Sequence, residues 1–205
     1  MIGVISADII GSQNHRDPET WLQPMKDSLK EFGEEGRDWE MYWGDGFQIR
    51  FADASDIIER FLLLKSGLRA HEGLDARIGL GIAEEDYESE QVKFSQGAAY
   101  VNAAYALKDV RKLPCLTAFR SPNKDLDREI NLLLELASIA ADSWKSATSQ
   151  VVHALLQNRA HTQNELAELL SIRQPTVSAH LSRSNVQSLL KMESWCRNRI
   201  LELCK

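Results

Sequence analysis

The sequence predicts an α+β protein, with a ferredoxin-like or palm-type sheet domain over residues 1–122, a helical connector over 123–150 and an all-α module over 151–205. Three observations carry this expectation. Short runs of period-two alternation in the front part are separated by helical patterns, in the order βα-ββ-αβ followed by αβ. Residues 125–158 lack Pro and Gly and keep a helical period. Beyond residue 160 the signals are helical only, with capping residues at the expected places.

Each element has its own local reason. Residues 2–7 form an apolar run closed by Asp8, the first strand, followed by a polar loop over 11–16. Asp17-Pro18-Glu19 opens a helix that runs to about Glu34, with Asp17 as cap and Pro18 at the first helical position. Residues 38–43 and 46–51 form a hairpin: Phe47, Ile49 and Phe51 alternate with Gln48 and Arg50, and Gly44 and Gly46 supply turn freedom around Asp45. A second helix follows, with Ile57, Ile58, Phe61, Leu62, Leu64 and Leu68 on one buried face, ending near Gly73.

In the next strand, residues 75–83, Ala76, Ile78, Leu80 and Ile82 lie on one face and Arg77, Gly79 and Gly81 on the other, where the glycines admit close backbone or ligand approach. Residues 84–96 are polar and charged, an exposed loop. An Ala-rich helix over 97–108 and a strand over 113–119 complete a sheet with helices on one face. Across residues 125–158, Leu126, Ile130, Leu133, Ala137, Ala140, Trp144, Ala147, Val151 and Ala154 recur at heptad spacing. That seam fits either a dimerising coiled coil or helices packed on the chain's own core, with a break within residues 143–149.

Composition places the chain among ordinary globular proteins, at 43% hydrophobic and 26% charged residues. The net charge of −6 divides unevenly: from Val151 onward seven Lys or Arg face four Glu, an excess of +3, which leaves −9 on the rest. An acidic body with a basic tail implies separate tasks. Cys115, Cys196 and Cys204 are odd in number and lack metal-type spacing, which excludes a disulfide framework and a zinc site and fits a reducing cytoplasm. The apolar start has no basic n-region, and no run reaches membrane-spanning length, so neither export nor a membrane is expected.

The tail carries the most specific spacing. Thr162 and Glu165 form a capping box for one helix, with Leu166, Ala167 and Leu170 buried. Ile172 fills a turn, Gln174-Pro175 begins a second helix, and Val177 and Leu181 point inward. This is the spacing of a helix-turn-helix, similar to those of many bacterial regulators. Arg173, Gln174, Thr176, Ser178 and Arg183 are left outward as the DNA contacts, facing base edges and phosphates. Residues 186–203 form a closing helix, with Leu189, Leu190, Trp195 and Ile200 in the core and Arg197 and Arg199 available to phosphates.

Asp8-Ile9-Ile10-Gly11-Ser12, Gly44-Asp45-Gly46-Phe47, Arg77-Ile78-Gly79-Leu80-Gly81 and residues 97–104 (Gly-Ala-Ala-Tyr-Val-Asn-Ala-Ala) occur in that order. In this order the chain resembles, over nearly its whole length, the SatD family, bacterial proteins whose front part is similar to the class III nucleotide cyclase domain and whose end carries a helix-turn-helix. The resemblance implies that Asp8 and Asp45, with the Ile9 carbonyl, hold Mg²⁺ or Mn²⁺ over the phosphates of a nucleotide, and that Asn102 contacts the nucleotide. Paired carboxylates suit such ions. The base-reading position is Met41, however, and the Arg expected after Asn102 falls on Ala106, or in a register shifted by one on Tyr105. Arg77, Lys108 and Arg111 are the cations left for that part. Without a cationic clamp the site is not an efficient cyclase.

The expected function is therefore a cytoplasmic, homodimeric DNA-binding regulator with a degenerate cyclase-like domain that senses a nucleotide or metal-nucleotide. The alternatives are a metal-dependent nucleotidyl cyclase or transferase using Asp8 and Asp45, and a body that serves only as a dimerisation or interaction scaffold.

Overall fold

A computed structural model describes residues 1–12, 18–42, 44–84 and 97–203. The expected Asp17 cap, Trp43 in the hairpin, nearly all of the loop over 84–96, and Cys204 lie outside these residues. Among them are five strands in one mixed sheet and eight α-helices. The strands are β1 (Ile2–Ile9), β2 (Trp39–Met41), β3 (Gly46–Phe51), β4 (Ala76–Ala83) and β5 (Thr117–Arg120). The helices are α1 (Glu19–Leu29), α2 (Ile57–Ala70), α3 (Ala98–Val110), α4 (Lys124–Ala141), α5 (Ser146–Gln157), α6 (Gln163–Leu169), α7 (Gln174–Ser184) and α8 (Val186–Leu203).

The sheet order is β2-β3-β1-β4-β5. Strands β1, β3, β2 and β4 pair antiparallel, and β5 adds in parallel to β4. The register sets the faces. Gly46, Asp8 and Arg77 stand in one row across three strands, and Phe47, Ala7 and Ile78 in the next, pointing the other way. The apolar set of β1, β3 and β4, including Ile5, Ile49 and Leu80, packs on α1 and α2 through Met25, Leu29, Ile58 and Leu62, all fully buried. Each such side chain contributes about 1.5–3 kcal/mol by leaving water.

Helix α3 covers the opposite face, so helices lie on both faces rather than on one. The cause is the glycine pair read as open space on β4. A Cβ at Gly79 would stand 2.3 Å from the Ala103 carbonyl oxygen, and one at Gly81 would stand 2.2 Å from the Ala103 nitrogen. The α3 backbone fills the space, and Ile2, Val4, Ala99, Tyr100 and Ala103 seal the contact. Strand β5 would expose an edge, but the Asn131 side chain accepts from the Phe119 amide and donates to its carbonyl, both at 2.8 Å, in the manner of a neighbouring strand.

Residues 125–158 form two helices, α4 and α5, broken at Asp142. The Lys65 ammonium takes the Asp142 carboxylate at 2.7 Å, and Arg69 Nε donates to the Trp144 carbonyl at 2.9 Å, so α2 holds the turn. Seam residues Leu126, Ile130, Ala137, Trp144, Val151 and Ala154 are buried in the chain's own core, while Ala147 is exposed. The boundary expected at residue 151 falls inside α5, because that helix packs on α2 and on α7 alike.

The tail helices follow the expected spacing closely. The Thr162 amide donates to Glu165 at 2.6 Å and the Glu165 amide to the Thr162 hydroxyl at 3.3 Å, closing the capping box. Ser171 takes a left-handed φ of 54° in the turn before α7. Val177 and Leu181 are buried. Two core assignments change: Trp195 is 42% exposed, with its ring beneath the Arg199 guanidinium, and Ile172 is 37% exposed.

The α3–β4 contact leaves no room for one added carbon, so Gly81→Ala is expected to destabilise the protein by about 1–3 kcal/mol. Urea unfolding measures it, with Gly46→Ala as the control, a position without a positive φ where an added Cβ meets nothing closer than 3.7 Å.

Candidate functional site

The end of β1 and the β2–β3 turn come together as the two carboxylate motifs require. Asp8 is directly opposite Gly46, and the Ile9 amide donates to the Asp45 carbonyl at 3.2 Å. Gly44 carries the positive φ of the turn, 86°, whereas Gly46 already belongs to the strand. The Tyr42 amide closes the turn on the Gly46 carbonyl at 2.7 Å.

The two side chains have different surroundings. Asp8 belongs to the face that α3 covers, where Arg77 Nε donates to its Oδ1 at 2.6 Å and Arg111 approaches Oδ2 at 3.8 Å. Two of the three cations left to stand in for the missing Arg are thus gathered on this carboxylate. Asp45 accepts the Ser12 hydroxyl and lines a cavity on the α1 side. The residues present do not fit a two-cation clamp, since arginines hold Asp8 and a different polar group and cavity take Asp45. Among the described residues no group of three or more His, Cys, Asp or Glu side chains is placed to ligate a metal. Ile9 is the last residue of β1, its side chain buried in the main core.

Asn102 is a tether: its Nδ2 donates to the Ile82 carbonyl at 3.0 Å. One turn on, Ala106 is fully buried beneath α3, so an arginine in that register would have to displace core. In the shifted register Tyr105 is 51% exposed, with Arg120 stacked over its ring. Beside the Asp8–Arg77 row, Tyr42 donates to Gln48 and Gln48 to Ser6 at 2.8 Å. Burial, with Glu40 and Tyr100 nearby, pushes the Tyr42 phenol up to about 12, so it remains a donor at neutral pH. Burial likewise raises the Cys115 thiol and pushes that of Cys196 up to about 12, which makes neither a nucleophile.

The cavity itself went unread in the sequence. It holds about 540 Å³ and is lined, among the described residues, by Ser12, Pro18, Trp21, Leu22, Lys26, Met41, Gly44 and Asp45. That size is in the range of small-molecule sites. Trp21 is 8% exposed, and its indole Nε1 is buried without a hydrogen-bond partner among the described residues. Buried donors are rarely left so. In sequence Trp21, Met25 and Leu29 read as one apolar face, which hides the polar edge of the indole; a Lys26 beside that face was the available signal.

The second candidate surface is α7. The Arg173 and Arg183 side chains are exposed, and their guanidinium groups make no ion pair or hydrogen bond among the described residues; Thr176 is exposed and Ser178 half-buried. Gln174 donates to Gln163 of α6 at 2.7 Å. Arg197 and Arg199, expected at phosphates, are engaged elsewhere: Arg197 holds Asp56, Glu59 and Glu193, and Arg199 holds Glu129 and Glu202. Arg159 also bonds Glu59 and Glu193. The opposite charges of body and tail therefore serve, in large part, to join them.

A double-mutant cycle with Asp8→Asn and Arg77→Met is expected to return a favourable coupling of about 1 kcal/mol in urea unfolding. Zero coupling would mean that the pair does not organise the end of β1. Comparison with protein-family models, curated proteins and solved structures returns no match to this chain, so its own geometry carries the functional reading.

Proposed function

We propose that this chain is a DNA-binding regulatory protein in which α6 and α7 act as a helix-turn-helix and the α+β body binds a nucleotide-class ligand. One observation carries the first part. Every arginine in the tail that touches the body is consumed by carboxylates, whereas Arg173 and Arg183, at the two ends of α7, are exposed and unpaired among the described residues. Free guanidinium groups flanking a helix whose exposed side carries Thr176 and Ser178 suit phosphates at the flanks and base edges between them. Gln174 joins this set once its bond to Gln163 is exchanged.

The body's part rests on the cavity beside Asp45. Trp21, Leu22 and Met41 offer apolar surface to a planar base, the buried indole N–H asks for an acceptor, and Lys26 supplies a cation for an anionic group. The order β2-β3-β1-β4, antiparallel throughout, with α1 and α2 on one face, supports the ferredoxin-like, cyclase-like reading of this domain. With Ala106 buried and Asp8 held by arginines, the domain reads as a binding rather than a catalytic version.

Selection from a random-sequence DNA library followed by gel shift tests the reading. Wild type is expected to bind, and Arg173→Ala with Arg183→Ala to lower affinity across all sequences, with the salt slope reduced by about 1 per lost phosphate contact. Thr176→Ala should instead relax the preferred sequence. DNA binding that is indifferent to all three substitutions would overturn the assignment.

A further inference from the structure

One part of the body runs against its overall charge. Before Val151 the chain carries −9, yet a concave site of about 590 Å³ between the end of α3, β5 and the first turns of α4 is lined by four cations and only two carboxylates. The cations are Lys112, Arg120, Lys124 and Arg128; the carboxylates are Asp109 and Asp127. Leu113, 40% exposed, supplies an apolar wall. The site shares no lining residue with the cavity beside Asp45.

The carboxylates are spent, whereas the cations keep donors. Asp127 is 8% exposed; its Oδ1 accepts from the Ser121 amide at 2.6 Å and hydroxyl at 2.8 Å, and its Oδ2 takes Lys124 at 3.0 Å. Asp109 takes Arg120 through Nε, at 2.9 Å, and through Nη2. A guanidinium offers five N–H donors and an ammonium three. Among the described residues, therefore, Arg120 keeps Nη1, Lys124 keeps two of its three N–H groups, and Arg128 keeps Nε and Nη2 beyond the Nη1 that holds Asp125. The Arg128–Asp125 pair is 80% and 82% exposed, a solvated contact that yields readily to a stronger anion. Lys112 is exposed, and its ammonium makes no ion pair or hydrogen bond among the described residues.

We propose that this site binds a small phosphate ester, with the phosphate on Lys112, Arg120, Lys124 and Arg128 and the organic part laid on Leu113. A phosphate monoester carries about −2 charge and three strong acceptor oxygens near neutral pH. That matches the surplus of two cations in the lining, and the forked guanidinium groups suit it in geometry. Concavity and volume are those of a small-molecule site. An extended peptide is disfavoured, because the Asn131 side chain already occupies the Phe119 amide and carbonyl on the free edge of β5.

Isothermal titration calorimetry of the full chain with phenyl phosphate and with inorganic phosphate tests the site. Phenyl phosphate is expected to bind about fivefold more tightly than inorganic phosphate, and Leu113→Ser to abolish that advantage. Lys112→Ala with Arg128→Ala should weaken both ligands roughly tenfold and leave the urea midpoint unchanged, since both side chains are exposed. Lys26→Ala, in the other cavity, should change neither. Absence of saturable binding, or binding that survives the double substitution, would overturn the proposal. Loss of binding through Lys26→Ala would also overturn it, by moving the anion to the Asp45 cavity, and equal affinity for the two phosphates would remove the ester. If neither phosphate binds but the double substitution weakens a DNA gel shift, these cations serve the nucleic-acid backbone and the proposal fails.

Discussion

Lys65 is fully buried, and its ammonium holds Asp75 and Asp142, each at 2.7 Å. Asp75 directly precedes β4, and Asp142 caps the end of α4. The same two regions are tied again by Arg69, which pairs with Asp75 and donates to the Trp144 carbonyl. A charge so placed is costly to remove from water, and it persists only because its donors are met. Replacing Lys65 would leave Asp142 without its cation and Asp75 with Arg69 alone, a loss of about 3–5 kcal/mol. The sheet and the helical tail share one continuous hydrophobic core around this cluster, and they pack as a unit through it.

That unit gives the proposed function a physical route. The Ile10 amide, two residues beyond Asp8, donates to the Asp75 carbonyl at 2.9 Å. From Asp75 the contacts pass through Lys65 and Arg69 to Asp142 and Trp144, and the Trp144 indole donates to the Ser184 carbonyl, the last residue of α7, at 3.0 Å. A ligand that reshapes the end of β1 would thus press on the base of α7 through buried, directional bonds. Coupling requires that both ends bias one two-state element; the α4–α5 turn is the candidate.

Much of the fold was legible because short-range signals agree. Period-two runs marked the strands, Thr162 and Glu165 announced the start of α6, and residues 186–203 read correctly as a closing helix. What was not legible depends on partners distant in sequence. Gly79 and Gly81 signal close approach but not by what, and the answer, the α3 backbone, put a helix on the second sheet face. Lys65 sits among Phe61, Leu64 and Leu68 on the buried face of α2, and nothing local in the sequence names Asp75 or Asp142 as its partners. At the candidate site, order and turn chemistry brought Asp8 and Asp45 to adjacent strand ends, but the opposite directions of neighbouring residues, and the arginines on Asp8, are properties of register. Arg197 and Arg199, read as available to phosphates, are held on the body by Asp56, Glu59 and Glu129, which lie at least 70 positions away and so leave no local signal.

Native-state hydrogen exchange on Lys65→Met tests the central role of this ammonium most directly. If Lys65 fuses sheet and tail, amide protection in β4, α5 and α7 is matched in the wild type and falls together, by an amount equivalent to about 3–5 kcal/mol. Protection that drops around β4 while α5 and α7 keep their wild-type values would show two independently stable parts and contradict the coupling.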